Sequence, residues 1–276
     1  MPRISRFAAS VTAAALVTAG TAASASAIPV ITMSGSTSVA PLATLLAKKY
    51  VQTHNRRRGR IGAAKFKIAQ GGSDVGVADV AAGRVTIGNS SRDPKPSDPG
   101  GLVFNKIAKD AICVITNPAN PIANLTQDQI QAIFSGSVRN WEDVSGSTAH
   151  GPIDLTVRTA ASGTQDAFQK IFMGSASVSK TAAAKASNGL VQQAVRSDKN
   201  AIGYVSLDFV AGTHPAAYKG VACNLANAKS GQYGGVRSFY MVTRGPARGA
   251  ALRFISWIQA SRVANAIIGT HWVPLH

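Results

Sequence analysis

Ile28-Pro29-Val30-Ile31-Thr32-Met33-Ser34-Gly35-Ser36-Thr37-Ser38-Val39-Ala40-Pro41 reads as a strand, a hydroxyl-rich turn and the start of a helix. Ile28 to Thr32 is the strand. Pro41 sits in the first helical turn, where a missing backbone N–H costs nothing. Leu42, Leu45 and Leu46 follow at helical spacing. The same succession recurs. Phe66 to Ala69 is a second strand, Gly71-Gly72-Ser73-Asp74 a second turn, and Val77, Val80 and Ala81 mark a helix that ends at Gly83. Val85 to Ile87 is a third strand, opening onto Gly88-Asn89-Ser90-Ser91-Arg92. Leu155 to Val157 ends at Arg158, after which Ala161-Ser162-Gly163-Thr164 opens a helix carrying Phe168, Ile171 and Phe172. Strand, turn and helix in repetition predict an α/β fold with a parallel sheet. In such sheets ligands sit where strands end and helices begin.

Other segments fill in the organisation. Lys95 to Gly101 is a Pro/Gly-rich loop. Ala111 to Thr116 is an apolar strand closed by Asn117-Pro118-Ala119-Asn120-Pro121, and a new unit starts there. Thr126 with Gln129 forms a capping box before Ile130, Ile133 and Phe134. Ala201 to Val205 and Ser238 to Thr243 read as strands, and Ala250 to Ile268 as one final amphipathic helix.

Met1 to Ala27 reads as a secretory leader rather than a membrane anchor. Arg3 and Arg6 begin it, Phe7 to Ala19 is too short and too rich in Ala and Thr to span a bilayer, and Ala25-Ser26-Ala27 supplies a small-x-small cleavage site. Export makes Cys113 and Cys223, the only two cysteines, either a structural disulfide or two buried free thiols. The net charge is +17, of which the leader contributes only Arg3 and Arg6. Such a chain attracts anions over its whole surface. Arg56-Arg57-Arg58-Gly59-Arg60 is the densest basic run. It lacks the interleaved aromatics that stack bases, so it reads as a solvated loop and not a nucleic-acid site.

Each hydroxyl-rich turn on its own is an ordinary helix cap. Four of them in one chain, one beside Arg158, point to an oxyanion site. Helix N-termini present free N–H groups, Ser and Thr present hydroxyls, glycine admits close approach, and guanidinium offers a fixed fork of donors. Gly-x-Ser-x-Gly, His-Glu-x-x-His, Cys-x-x-Cys and Walker A patterns are absent from the sequence. No catalytic residue, cofactor or metal is expected.

With these motifs in hand, the chain resembles the phosphate-binding proteins of bacterial phosphate ABC transporters. The resemblance runs through Gly35-Ser36-Thr37-Ser38-Val39-Ala40-Pro41, Gly71-Gly72-Ser73, Ile87-Gly88-Asn89-Ser90-Ser91-Arg92, Ile133-Phe134-Ser135-Gly136 with Asn140-Trp141, Arg158 with Ser162-Gly163-Thr164-Gln165, and Ala201-Ile202-Gly203-Tyr204-Val205-Ser206. It implies a type II periplasmic binding protein fold: two α/β lobes with a ligand cleft between them. Residues 28–109 plus 239–276 would form one lobe and 110–238 the other. Phosphate would be held by Thr37, Ser38 through its backbone N–H, Ser73 and Ser91 from the first lobe. Arg158, Ser162, Gly163 and Thr164 would hold it from the second. The partner implied is a membrane ABC permease, and the protein is expected to be an exported monomer, periplasmic or extracellular. Two departures are visible. Some members place Asp where Ser91 stands, so discrimination of phosphate from sulfate is expected to be weaker here unless Asp74 serves instead. Members also carry an acid in the loop after the arginine, where this chain has Thr159, Ala160 and Ala161. A secreted polyanion-binding or adhesive protein on the same fold is the alternative, and a phosphatase on this scaffold a third possibility.

Overall fold

The computed structural model describes residues 27–55 and 62–276. The expected leader therefore lies outside the described residues except for Ala27, and so does the whole basic run from Arg56 to Arg60.

The chain begins with β1 (Val30–Gly35), α1 (Ala40–His54), β2 (Lys65–Ile68), α2 (Ser73–Ala81), β3 (Ile87–Ser90) and β4 (Leu102–Thr116). It continues with β5 (Asn124–Leu125), α3 (Gln127–Ser135), β6 (Asp154–Arg158), α4 (Gly163–Phe168), β7 (Ala183–Lys185), α5 (Asn188–Ser197) and β8 (Ala201–Ser206). The last part comprises β9 (His214–Pro215), β10 (Ala217–Tyr218), α6 (Leu225–Ser230), β11 (Val236–Arg244), α7 (Gly249–Ala260) and α8 (Arg262–His271). The main sheet has the order β2-β1-β3-β11-β4-β8-β6-β7, with β9 added beside β4.

The expected parallel pairing holds at both ends of this sheet. β1 runs parallel to β2 and β3, and β6 runs parallel to β7 and β8. Between them lies an antiparallel joint. β4 pairs with β11 from Leu102 to Ala111, then with β8 from Ile112 to Thr116. One continuous strand thus serves both halves of the sheet.

Two apolar cores form on either side of that joint. The first gathers Ile31, Leu42, Leu46, Ile87, Phe239, Phe254 and Ile268. The second gathers Ile112, Ile130, Phe134, Trp141, Phe168, Val191 and Tyr204, together with Val273 from the C-terminal end. A small third cluster of Val77, Val80, Tyr240 and Val242 seats α2 on β11. α2 lies so close to β1 that a Cβ on Gly76 would come within 2.7 Å of the Ser34 carbonyl oxygen. Glycine is needed there for the helix N-terminus to reach the strand ends.

Three local expectations change. The strand foreseen at Ala111 to Thr116 starts at Leu102. Lys106, Lys109 and Asp110 mask its first half in the sequence, but partners on β11 satisfy its backbone. Asn89 and Ser90 belong to β3 and not to a turn, because β11 pairs with them. The single helix over Ala250 to Ile268 is two helices. Ser261 adopts extended backbone and its hydroxyl accepts from Val263 and Ala264 N–H, capping α8. The capping box of Thr126 and Gln129 forms with both reciprocal bonds.

Cys113 of β4 and Cys223, just before α6, are joined in a disulfide with Cα atoms 5.6 Å apart. The bond closes a long loop, with a sequence separation of 110 residues. Loops of that size give cross-links worth about 2–5 kcal/mol. Urea unfolding with and without reductant is expected to show that loss, with the midpoint falling when Cys113 and Cys223 are reduced.

Candidate functional site

The turn after β1 is built by hydrogen bonds from its neighbours. Ser36 N–H donates to Asn89 O at 2.9 Å, and Gly71 and Gly72 N–H donate to Gly35 O. Ser36 Oγ accepts from the N–H groups of Ser38 (3.2 Å) and Val39 (3.3 Å), so it completes the entry to α1, whose own N-cap Val39 has no side chain to offer. Ser162 does the same for α4, accepting from Thr164 and Gln165 N–H at 3.1 and 3.4 Å. These two serines satisfy the ordinary capping role; a serine hydroxyl has one proton to donate, and that of Ser36 goes to Ser91 Oγ. The Ser38 N–H, expected to face a ligand, is directed at Ser36 Oγ.

The other expected residues meet in one buried network. Arg158 leaves the end of β6 with its Nε on Lys185 O (3.2 Å) and one Nη2 proton on Ala186 O (3.0 Å). Its backbone N–H donates to Tyr204 Oη, which itself donates to Gln165. Two carbonyls thus hold the guanidinium in place. From there Nη2 donates to Thr37 Oγ1 at 3.2 Å and Nη1 to Thr164 Oγ1 at 3.4 Å. Ser91 N–H donates to Ser73 Oγ at 3.0 Å, and Ser36 Oγ donates to Ser91 Oγ at 2.8 Å. Gly163 packs against this pair: a Cβ there would lie 2.3 Å from Ser73 Oγ and 2.9 Å from Ser91 Oγ.

Three more groups enter the network without having been anticipated. Asn188, the first residue of α5, donates through Nδ2 to Thr37 Oγ1 (3.1 Å) and Ser38 Oγ (2.8 Å). Its Oδ1 is fixed by Ser206 N–H at 3.1 Å. Arg237 on β11 donates to Ser38 Oγ and Thr164 Oγ1, both at 2.9 Å, and to Ser91 Oγ at 3.4 Å. Asp110, opposite it on β4, accepts from Arg237 Nε and Nη2 at 3.2 and 2.9 Å and from Ser206 Oγ at 2.7 Å. None of the three sits in a hydroxyl-rich turn. The signal that could have found Arg237 is a charged residue beside an apolar strand run; Asp110, next to Lys109, gives no such signal.

These contacts dictate the polarity of the site. A hydroxyl has two acceptor lone pairs and one proton. Thr37 Oγ1 accepts from Arg158 and Asn188, Ser38 Oγ from Asn188 and Arg237, and Thr164 Oγ1 from both arginines. Their lone pairs are largely taken, the 3.4 Å contact of Arg158 with Thr164 being the longest, so their protons are what remains to offer. The 3.0 Å contact between Ser38 and Thr164 takes one of them. Burial depresses the Arg158 pKa to about 10, with the Arg237 charge adding to the effect, and it stays cationic at neutral pH. Burial likewise lowers Arg237, which the Asp110 charge opposes. The result is a buried cluster of donors with two cations, suited to an anion.

Asp74 is not part of the cluster. Its carboxylate pairs with Arg92 Nε at 2.6 Å and Lys95 at 3.5 Å. Asp166 of α4 meets Lys95 at 2.6 Å, and Lys170 meets Asp93 at 2.8 Å. The Lys95–Asp166 and Lys170–Asp93 pairs join the two sides along the rim, as does the bond from Asp74 N–H to Ala161 O at 3.1 Å. Gly163→Ala is expected to push the walls apart, because its Cβ would overlap Ser73 Oγ. Hydrogen exchange at the Asp74 amide should then quicken at least tenfold while that of β8 stays unchanged.

No helix among the described residues is long and apolar enough to cross a membrane. The family model described as a PBP superfamily domain matches residues 20–262. The phosphate-binding protein PstS of Bacillus subtilis (strain 168) is 26% identical over 243 residues, covering 86% of this chain and 78% of that protein. A Clostridium perfringens protein assigned as a phosphate ABC transporter substrate-binding protein, crystallised with bound phosphate, is 29% identical. It superposes with a TM-score of 0.82 over 90% of this chain and 100% of its own. An ABC-type phosphate transport receptor from Vibrio cholerae is 26% identical, with a TM-score of 0.69 over 88% and 99% of the two chains. With a family match across most of its length and the periplasmic binding protein fold in its sheet, this chain belongs to the PBP superfamily.

Proposed function

We propose that this protein captures inorganic phosphate in the cleft between two lobes and hands it to a membrane ABC permease, without catalysing a reaction. The observation that carries this reading is the convergence on Thr164 Oγ1 of Arg158, Arg237 and Ser38, groups drawn from both sides of the sheet joint. An anion placed there touches both sides at once. A ligand shifts an opening equilibrium only by its differential affinity for the two states, and such an anion favours the closed one. The relatives named above are phosphate-binding transport proteins, which supports the same role.

In this reading the first lobe is 28–109 with 239–276 and the second 110–238. The two apolar cores support that division, with Val273 packing across it. The ligand set is Thr37, Ser38, Ser73, Ser91, Arg158, Ser162, Gly163 and Thr164. The protein acts outside the cell membrane, in a periplasm or beyond it, where the disulfide between Cys113 and Cys223 persists.

Selectivity follows from which atoms can accept. Phosphate near neutral pH carries a proton and sulfate does not, so an acceptor is needed to tell them apart. Ser91 Oγ already accepts from Ser36 Oγ and from Arg237 Nη1. It has no lone pair to spare for a protonated ligand.

Titration calorimetry on the phosphate-stripped protein tests this. One phosphate should bind with micromolar or tighter affinity. Arg158→Ala should weaken it roughly 100-fold, the scale of losing charge-assisted hydrogen bonds. Equal binding before and after that substitution, or strongly salt-dependent binding of a polyanion instead, would remove the phosphate reading. The phosphate-to-sulfate preference is expected to be smaller than in a relative with Asp at the Ser91 position. Equal preference ratios in the two proteins would exclude this account of selectivity.

A further inference from the structure

We infer that Arg237 is a second anion-binding guanidinium of the cleft and that Asp110 positions it. The inference rests on the phosphate reading above and deepens it. Arg237 and Asp110 are directly opposed across the antiparallel pair β11 and β4. Their side chains share one face there, where opposed residues interact. The Asp110 Oδ2 atom takes Nε and one Nη2 proton of Arg237, and Ser206 Oγ holds that same oxygen at 2.7 Å. The outer edge of the guanidinium is left facing the cleft. There it meets Ser38 and Ser91 from the side of the first core and Thr164 from the side of the second.

Two observations separate this from a simple structural ion pair. The pair does not use the carboxylate fully. Only Oδ2 engages Arg237, while Oδ1 is buried with no hydrogen-bond partner among the described residues. A pair built for stability alone would favour the two-oxygen fork. The second observation is the like-charge approach. Arg237 and Arg158 both donate to Thr164 Oγ1, at 2.9 and 3.4 Å, so two buried cations face each other across one hydroxyl. The Arg237 charge helps to depress the Arg158 pKa. With two guanidiniums against one carboxylate, the cleft carries an excess positive charge that a bound oxyanion neutralises. Arg237 leaves the joint strand and reaches hydroxyls on both sides, so a ligand on it is read by both lobes.

The test is calorimetry with inorganic phosphate on the wild-type protein and on Asp110→Asn/Arg237→Gln, which removes both charges of the pair at once, so that neither is left buried without the other. The expected result is at least a 100-fold loss of phosphate affinity with a melting temperature close to wild type. Phosphate binding within threefold of wild type would overturn the inference and leave a structural pair. Should the double variant fold poorly, Arg237→Lys keeps the charge and loses the fork. It should bind phosphate at least tenfold more weakly, and unchanged affinity would again overturn the inference. For Asp110, the readout is the Arg237 Nε–H resonance. Phosphate should shift it in the wild type, and Asp110→Asn should speed its solvent exchange and weaken phosphate binding. A resonance unmoved by phosphate would refute both roles. Failure of the wild type to bind phosphate would instead remove the functional reading on which the inference stands.

Discussion

A buried guanidinium must have its charge and its five N–H donors met, and this molecule buries two of them side by side. Arg158 is held by the carbonyls of Lys185 and Ala186, Arg237 by the carboxylate of Asp110. What those groups leave unsatisfied is taken up by hydroxyls just after β1 and β3 and at the start of α4. Each hydroxyl that accepts from a guanidinium or from Asn188 becomes a donor in turn. The polarity of the cleft is therefore a consequence of how the two arginines are satisfied.

This arrangement depends on the sheet joint. β4 and β11 carry Asp110 and Arg237 at matched register, and β4 then continues into the second half of the sheet beside β8, which carries Ser206. Movement of one core relative to the other must bend these strands or part the contacts across the cleft. The rim pairs of Lys95 with Asp166 and of Lys170 with Asp93 supply further contacts of that kind. They are partly exposed and salt-screened, and each adds modestly. The buried donors on Thr164 are the contacts an anion can strengthen most.

Much of the local structure was readable from residue order. The strand, turn and helix succession, the capping box at Thr126, and the C-terminal glycine at Gly83 are near-neighbour effects written in a few consecutive residues. Elements whose partners are distant were harder. The first half of β4 looks polar in isolation and is a strand because β11 lies beside it. The final helix looks continuous because its apolar spacing hardly changes at Ser261, where a single cap divides it.

The sequence by itself determined that the chain alternates strands and helices, that hydroxyl-rich turns stand at strand ends, and that Arg158 lies beside one of them. Short-range propensity and spacing are enough for that. Only the tertiary structure decided that Arg237, Asp110 and Asn188 share the cleft, that Asp74 turns away to Arg92, and that Cys113 meets Cys223. These groups lie far apart along the chain. Their meeting depends on strand register across the joint and on which buried charge finds which partner, and neither is encoded in the residues immediately around them.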